Sequence, residues 1–223
     1  DDRPVDPYFG VFPFFEFKLF GLDVEVEHST NSQGNALGHQ FKYAISDLQS
    51  DYPKLGKTRF SVDREKTLAW KQYLEEVFGD ILPVKLKGSA LTSVLTQKAV
   101  HLMGMENMLM SVYDYPDLFK RFMEQISDDH LAFFNEMEKN GDLLPMTAFE
   151  TVGQGTFAFN RELKEGTSGE QLKLKDVWGF MDSQETVGMS PTMFAEFVFP
   201  YYKRIAEKFG LLSYGCCEPV HTI

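Results

Sequence analysis

From about Asp63 onward, short apolar runs alternate with long amphipathic ones, and this alternation limits the fold more than any other feature. Asp63 is placed to cap a helix that runs through Phe78, with Leu68, Tyr73, Leu74 and Val77 on its apolar side and Gly79 as its stop. "ILPVKLKG" reads as a short strand, and residues 96–110 read as a helix ending in the Met-rich "LMGMENMLM". Asp114 and Pro116 open a longer helix with Phe119, Phe122, Met123, Ile126, Phe133, Phe134 and Met137 at helical spacing, and Asn140-Gly141 ends it. "LLPMTAF" and "DVWGFM" read as strands. Ser190-Pro191 starts a further helix in which Pro200 imposes a kink or a restart, and "LLSYG" reads as the last strand.

Strand, helix, strand, helix in this order implies a parallel sheet covered by helices, either an open doubly wound sheet or a (β/α)8 barrel. No dinucleotide fingerprint follows any strand. Residues 1–62 differ. In "FFEFKLFGLDVEVEH" two period-2 runs flank Gly21, which predicts an N-terminal β-hairpin, and "STNSQGNALGHQ" has loop composition. The expectation is one domain over 1–223, with a hairpin and loop region at 1–62 and the β/α portion at 63–223.

A net charge of −11 argues against holding a nucleic-acid backbone, which relies on clustered Lys and Arg. No apolar run is long enough to cross a bilayer. The two cysteines are sequence neighbours, a poor geometry for a disulfide, so reduced thiols and a cytoplasmic setting are expected.

Two stretches carry candidate chemistry. "MDSQETVG" follows an apolar strand, at the carboxyl end where α/β folds place their sites. Asp182 is suited to act as an acid or base or to orient a substrate, and Ser183, Gln184 and Glu185 are suited to bind it. The alternative is that Asp182 and Ser183 only satisfy loop amides. The second stretch, "YGCCEPVH", puts Cys216 and Cys217 at a strand end. Successive side chains on a strand face opposite ways, so one thiol is expected to be functional and the other packed. A thiolate is a soft ligand suited to zinc, and His221 comes within reach if Pro219 turns the segment. His101 and the neighbouring methionines read as core. No local motif assembles a Ser-His-Asp triad.

"DVWGFMDSQETVGMSPTMFAEFVFPYYKRIAEKFGLLSYGCCEP" resembles the uroporphyrinogen decarboxylase-like superfamily, in which a strand ending in Asp-Ser precedes a Ser-Pro-capped helix with Phe-x-x-Pro-Tyr. "FGDILPVKLKG" and "HLMGMENMLMSVYDYPDLFKRFMEQI" are similar to its preceding strand and helices, and "YGCCEP" marks one branch. The resemblance implies a (β/α)8 TIM-barrel, incomplete in this chain at both ends, with a cleft at the carboxyl ends of its strands. It implies one of two chemistries. The first is methyl transfer between a corrinoid, carried by a partner protein, and a thiol or pterin acceptor, assisted by zinc. The catalytic candidates are then Asp182, Cys216 and Glu218, with Cys216, Cys217 and His221 on the metal and Tyr214 added to the substrate-binding set. Tyr214 stands where the family has a His.

The second chemistry is decarboxylation of a tetrapyrrole or smaller acid through Asp182. The chain has only six arginines to meet a polyanionic substrate, and the family's N-terminal arginine motif is absent. A non-catalytic paralogue, paired as a homodimer to cover the missing strands, is the third expectation. Every enzymatic version requires the carboxylate at 182 and the thiol at 216 to face one pocket from adjacent parallel strands.

Overall fold

The computed structural model describes residues 7–153, 156–163 and 171–215. The chain begins with two short strands, β1 (Phe9–Val11) and β2 (Phe14–Lys18), followed by β3 (Glu25–Thr30) and β4 (Ala36–Lys42). A short helix α1 (Leu48–Asp51) and strand β5 (Arg59–Asp63) lead into α2 (Arg64–Phe78). Then come β6 (Val84–Leu86), β7 (Leu91–Thr92), α3 (Leu95–Asp114) and α4 (Pro116–Asn140). The short strands β8 (Phe149–Thr151) and β9 (Phe157–Phe159) precede β10 (Trp178–Met181), α5 (Pro191–Phe197), α6 (Phe199–Ala206) and β11 (Leu211–Tyr214).

Local signals set the helix ends. The Asp63 carboxylate accepts from the Lys66 N–H at the start of α2, and the Ser190 hydroxyl accepts from the Met193 N–H at the start of α5, each satisfying a donor the helix cannot. Val198 leaves helical geometry between α5 and α6, and Pro200 sits in the first turn of the restart. α4 ends at Gly141, which takes the left-handed conformation (φ 72°) and donates to Met137 and Glu138 carbonyls.

The barrel expectation is corrected. Among the described residues the strands form small separate sheets, and no sheet closes. The largest is three parallel strands in the order β11-β10-β7. Closure needs every strand to have a neighbour on both sides. Here the run 84–92 divides its pairing, β6 with β1 and β7 with β10. After α4 the chain makes an antiparallel β8–β9 pair where another strand-helix unit would have to stand. "LLPMTAF" is therefore not a strand of the parallel sheet: Leu143 and Met146 are buried without one, and only Phe149 enters β8.

The N-terminal hairpin is corrected too. β2 does not fold back on β3. It pairs antiparallel with β5, with Phe17 opposite Phe60, and this ribbon lies on α4, where Phe17 meets the rings of Phe133 and His130 at 5.5 and 4.6 Å. The hairpin is β3–β4, built partly from the stretch whose composition reads as loop.

One hydrophobic cluster runs from Leu19, Phe20 and Ile45 through α3 and α4 to Phe197, Tyr202 and Phe209. α2 joins it poorly. Leu74 packs with Val11 and Val84 in a smaller cluster, whereas Leu68 and Tyr73, on the side that reads as apolar, are 55% and 53% exposed. No helix of the described residues is long and apolar enough to cross a membrane.

Candidate functional site

Because β7, β10 and β11 are parallel, their carboxyl ends share one edge. Met181 stands opposite Tyr214, and Phe180 opposite Thr92. The Ser93 N–H donates to the Phe180 carbonyl at 2.8 Å, and the Gly215 N–H donates to the Met181 carbonyl at 2.9 Å, extending both ladders past the strands. Asp182 leaves the middle strand between them.

The polar groups at this edge are withdrawn from water. Asp182 and Ser183 are both 0% exposed, and Glu185 and Thr186 are buried beside them. The Ser183 carbonyl accepts from the Thr186 N–H and hydroxyl, which closes a tight turn over Gln184–Thr186. Across this turn lie the first turn of α3 and a tyrosine from α6. The Tyr202 hydroxyl donates to the Asp182 carbonyl at 2.8 Å and accepts from the Thr96 N–H at 3.0 Å. The Thr96 hydroxyl donates to Glu185 Oε2 at 2.8 Å. Burial holds the Tyr202 phenol far above the usual tyrosine range, so it stays protonated and remains a donor.

The Ser183 and Tyr214 hydroxyls are in direct contact. Ser93 adds a fully buried hydroxyl that has no hydrogen-bond partner among the described residues. Beside the edge, Met181, Phe194, Phe199, Tyr202, Leu212 and Tyr214 line an apolar cavity of about 550 Å³, within the size range of small-molecule sites. A cavity of about 460 Å³ next to Arg64, Glu136 and Asp142 contains none of the strand-end residues.

The candidates from the sequence divide accordingly. Ser183 and Tyr214 come together, and Glu185 sits one hydrogen bond from α3. β10 and β11 are adjacent and parallel as the shared-pocket expectation requires, but the Asp182 side chain is buried instead of opening into that pocket. Gln184 is half-buried. Cys216, Cys217, Glu218 and His221 lie outside the described residues. Among the described residues no group of three or more His, Cys, Asp or Glu is placed to hold a metal ion.

Thr96, Tyr202 and Ser93 were not legible as site residues. Tyr202 directly follows the Phe-x-x-Pro-Tyr segment, the only local signal for it. Thr96 lies 106 residues from Tyr202 and 89 from Glu185, so no spacing rule joins them.

No protein-family model, curated protein or solved structure matches the chain.

Proposed function

We propose that this chain is a methyltransferase of the uroporphyrinogen decarboxylase-like kind, moving a methyl group between a corrinoid and a thiol or pterin acceptor at the carboxyl edge of β7, β10 and β11. The observation that carries the reading is the in-register parallel pairing of β10 with β11, prolonged by the Gly215–Met181 hydrogen bond. It brings the chain as far as Gly215 to the start of the Asp182–Glu185 turn, and Cys216 is the next residue in the sequence.

In this reading Cys216 is the thiol centre, used as the thiolate. A corrinoid, when bound, would supply the methyl group and keep the electron pair that held it, and the acceptor's thiolate would receive the group as a thioether. The chain's own residues shape the place where this happens. Tyr202, Thr96 and Glu185 fix the turn that carries Gln184, the half-buried amide available to a substrate. Tyr214, in contact with the buried Ser183 hydroxyl, lines the neighbouring apolar cavity, which takes up the non-polar part of the substrate. Zinc, implied by the resemblance, would be held by Cys216, Cys217 and His221 and would lower the pKa of the thiol.

Decarboxylation of a polyanionic tetrapyrrole draws less support. Arg64 and Arg204 are engaged with Asp142 and Asp128, and Arg59 with the Gly21 carbonyl, so these three guanidinium groups are committed elsewhere.

The test is anaerobic incubation of the protein with methylcobalamin and a panel of thiol and pterin acceptors, following cob(I)alamin by its visible spectrum. Demethylation that disappears in Cys216→Ser and slows in Gln184→Ala supports the reading. No acceptor-dependent demethylation, or a rate indifferent to Cys216→Ser, removes it.

A further inference from the structure

The cavity of about 460 Å³ beside Arg64 lies between β5 and α4, away from the strand-end residues. β5 contributes Phe60 and Val62, half-buried at alternate positions, and Arg64 opens α2 directly after it. From α4 come Phe133, Glu136, Met137 and Asn140, whose spacing sets them in one line along the helix. The Phe60 and Phe133 rings meet with centres 5.3 Å apart, and with Val62 and Met137 they make part of the lining apolar.

The end of α4 builds the polar part. Because Gly141 turns left-handed, the Asp142 N–H returns to the Met137 carbonyl at 2.8 Å. The Asp142 side chain that follows is only 6% exposed. Its carboxylate accepts from Arg64 Nε at 2.6 Å, and the Asn140 carbonyl accepts from Arg64 Nη2 at 2.9 Å. Two contacts on one planar group fix its orientation. They leave the Nη1 donors without a partner among the described residues, on a side chain that is 61% exposed. Glu136, one turn before Asn140, likewise makes no hydrogen bond or ion pair among the described residues.

A guanidinium held from behind by a buried carboxylate, its other edge facing a cavity of ligand size, is matched to a second carboxylate. Charge decides what that carboxylate belongs to. Asp142 is already neutralised by Arg64, so Glu136 is the uncompensated charge of the lining. A lone anion would lie beside Glu136, and a lone cation would leave the guanidinium edge unused. A zwitterion satisfies both. We propose that this cavity binds an α-amino acid with an apolar side chain. Its carboxylate takes the Nη1 edge of Arg64, its ammonium takes Glu136, and its side chain packs on Phe60, Val62, Phe133 and Met137. The site is independent of the methyl-transfer reading, which uses the edge of β7, β10 and β11.

Calorimetric titration of the full chain tests this with leucine, with isocaproate, which lacks only the amine, and with isoamylamine, which lacks only the carboxylate. Saturable leucine binding is expected, with each analogue weaker by about tenfold or more because it loses one charge-assisted pair. Glycine, without a side chain to pack, should also bind more weakly than leucine. Glu136→Gln, at an exposed position, should remove most of leucine's advantage over isocaproate. Arg64→Met should remove its advantage over isoamylamine. That variant also strips the buried Asp142 of its partner, so circular dichroism checks its fold, and Glu136→Gln carries the test if it fails. No saturable leucine binding, an analogue or glycine binding as tightly as leucine, or leucine affinity unchanged in Glu136→Gln overturns the proposal. Neither result bears on methyl transfer, which is read separately by corrinoid demethylation.

Discussion

The strand-end seam and the β3–β4 hairpin touch the same helix, α3, but are held in opposite ways. In the seam, Ser93, Thr96, Asp182, Ser183, Glu185 and Thr186 are buried, and their hydrogen bonds join segments far apart in the chain. In the hairpin nearly every residue is exposed, Leu37 by 69%. Its strands are held by their own ladder and by exposed charges such as Lys42 with Glu25 and Glu27, and exposed pairs of this kind contribute little. The Phe41–His101 ring contact is what docks it. The seam is thus fixed by the whole fold, whereas the hairpin can leave without breaking the core.

Acid should have the largest effect, and it acts on the core beneath both regions. Burial lowers the pKa of His130, under the β2–β5 ribbon, to about 4 from 6.5. A base with a depressed folded-state pKa binds its proton more readily when unfolded. Its neutral form costs nothing above pH 6.5, and stability falls as pH drops from 6.5 to 4, by roughly 3 kcal/mol in total. Denaturant melts at pH 7 and pH 4.5 should show this loss, and His130→Gln should remove most of the slope. An unchanged slope in that variant would mean that other groups set the acid sensitivity.

A smaller effect is expected from Tyr202→Phe. It leaves the Thr96 N–H and the Asp182 carbonyl without their partner and should cost about 1–3 kcal/mol in global stability. Hydrogen exchange at Ser93 and Gly215 should quicken with it. Phe41→Ala should lower global stability by only about 1 kcal/mol while speeding exchange across β3 and β4. Leu37→Ser, at the exposed turn end of the same hairpin, should change stability by less than about 0.5 kcal/mol. A Phe41→Ala loss as large as that of Tyr202→Phe would show the hairpin to be part of the core after all.

What was legible in the sequence was local. Asp63, Ser190 and Gly141 mark helix ends because a cap acts within a few residues of itself, and the apolar spacing of α4 records one continuous face buried by the core. Strand partners were not legible. The runs on either side of Gly21 alternate as a hairpin would, yet β2 gains more by placing Phe17 against Phe60, Phe133 and His130 than by folding back on β3. Alternation of strand and helix left an open sheet or a barrel because it records sequence order only, and the closed barrel came from the resemblance. The division of residues 84–92 between two sheets leaves no trace in composition. At the site, Asp182–Glu185 stood out because polar residues follow an apolar strand. Thr96 and Tyr202 did not, since the hydrogen bond that joins them spans 106 residues.

α3 is not one straight rod. Gly104 sits at φ 79° and ψ 160°, a conformation open in practice only to glycine, with the Tyr43 ring 2.9 Å from where a Cβ would stand. The residues before this joint take their direction from the strand they leave, and those after it from the helix they pack against. An alanine there would meet the Tyr43 ring in a backbone conformation that it rarely adopts, and would strain the joint between the two segments. One glycine therefore sets the angle between the turn that holds Glu185 through Thr96 and the length of helix beyond it.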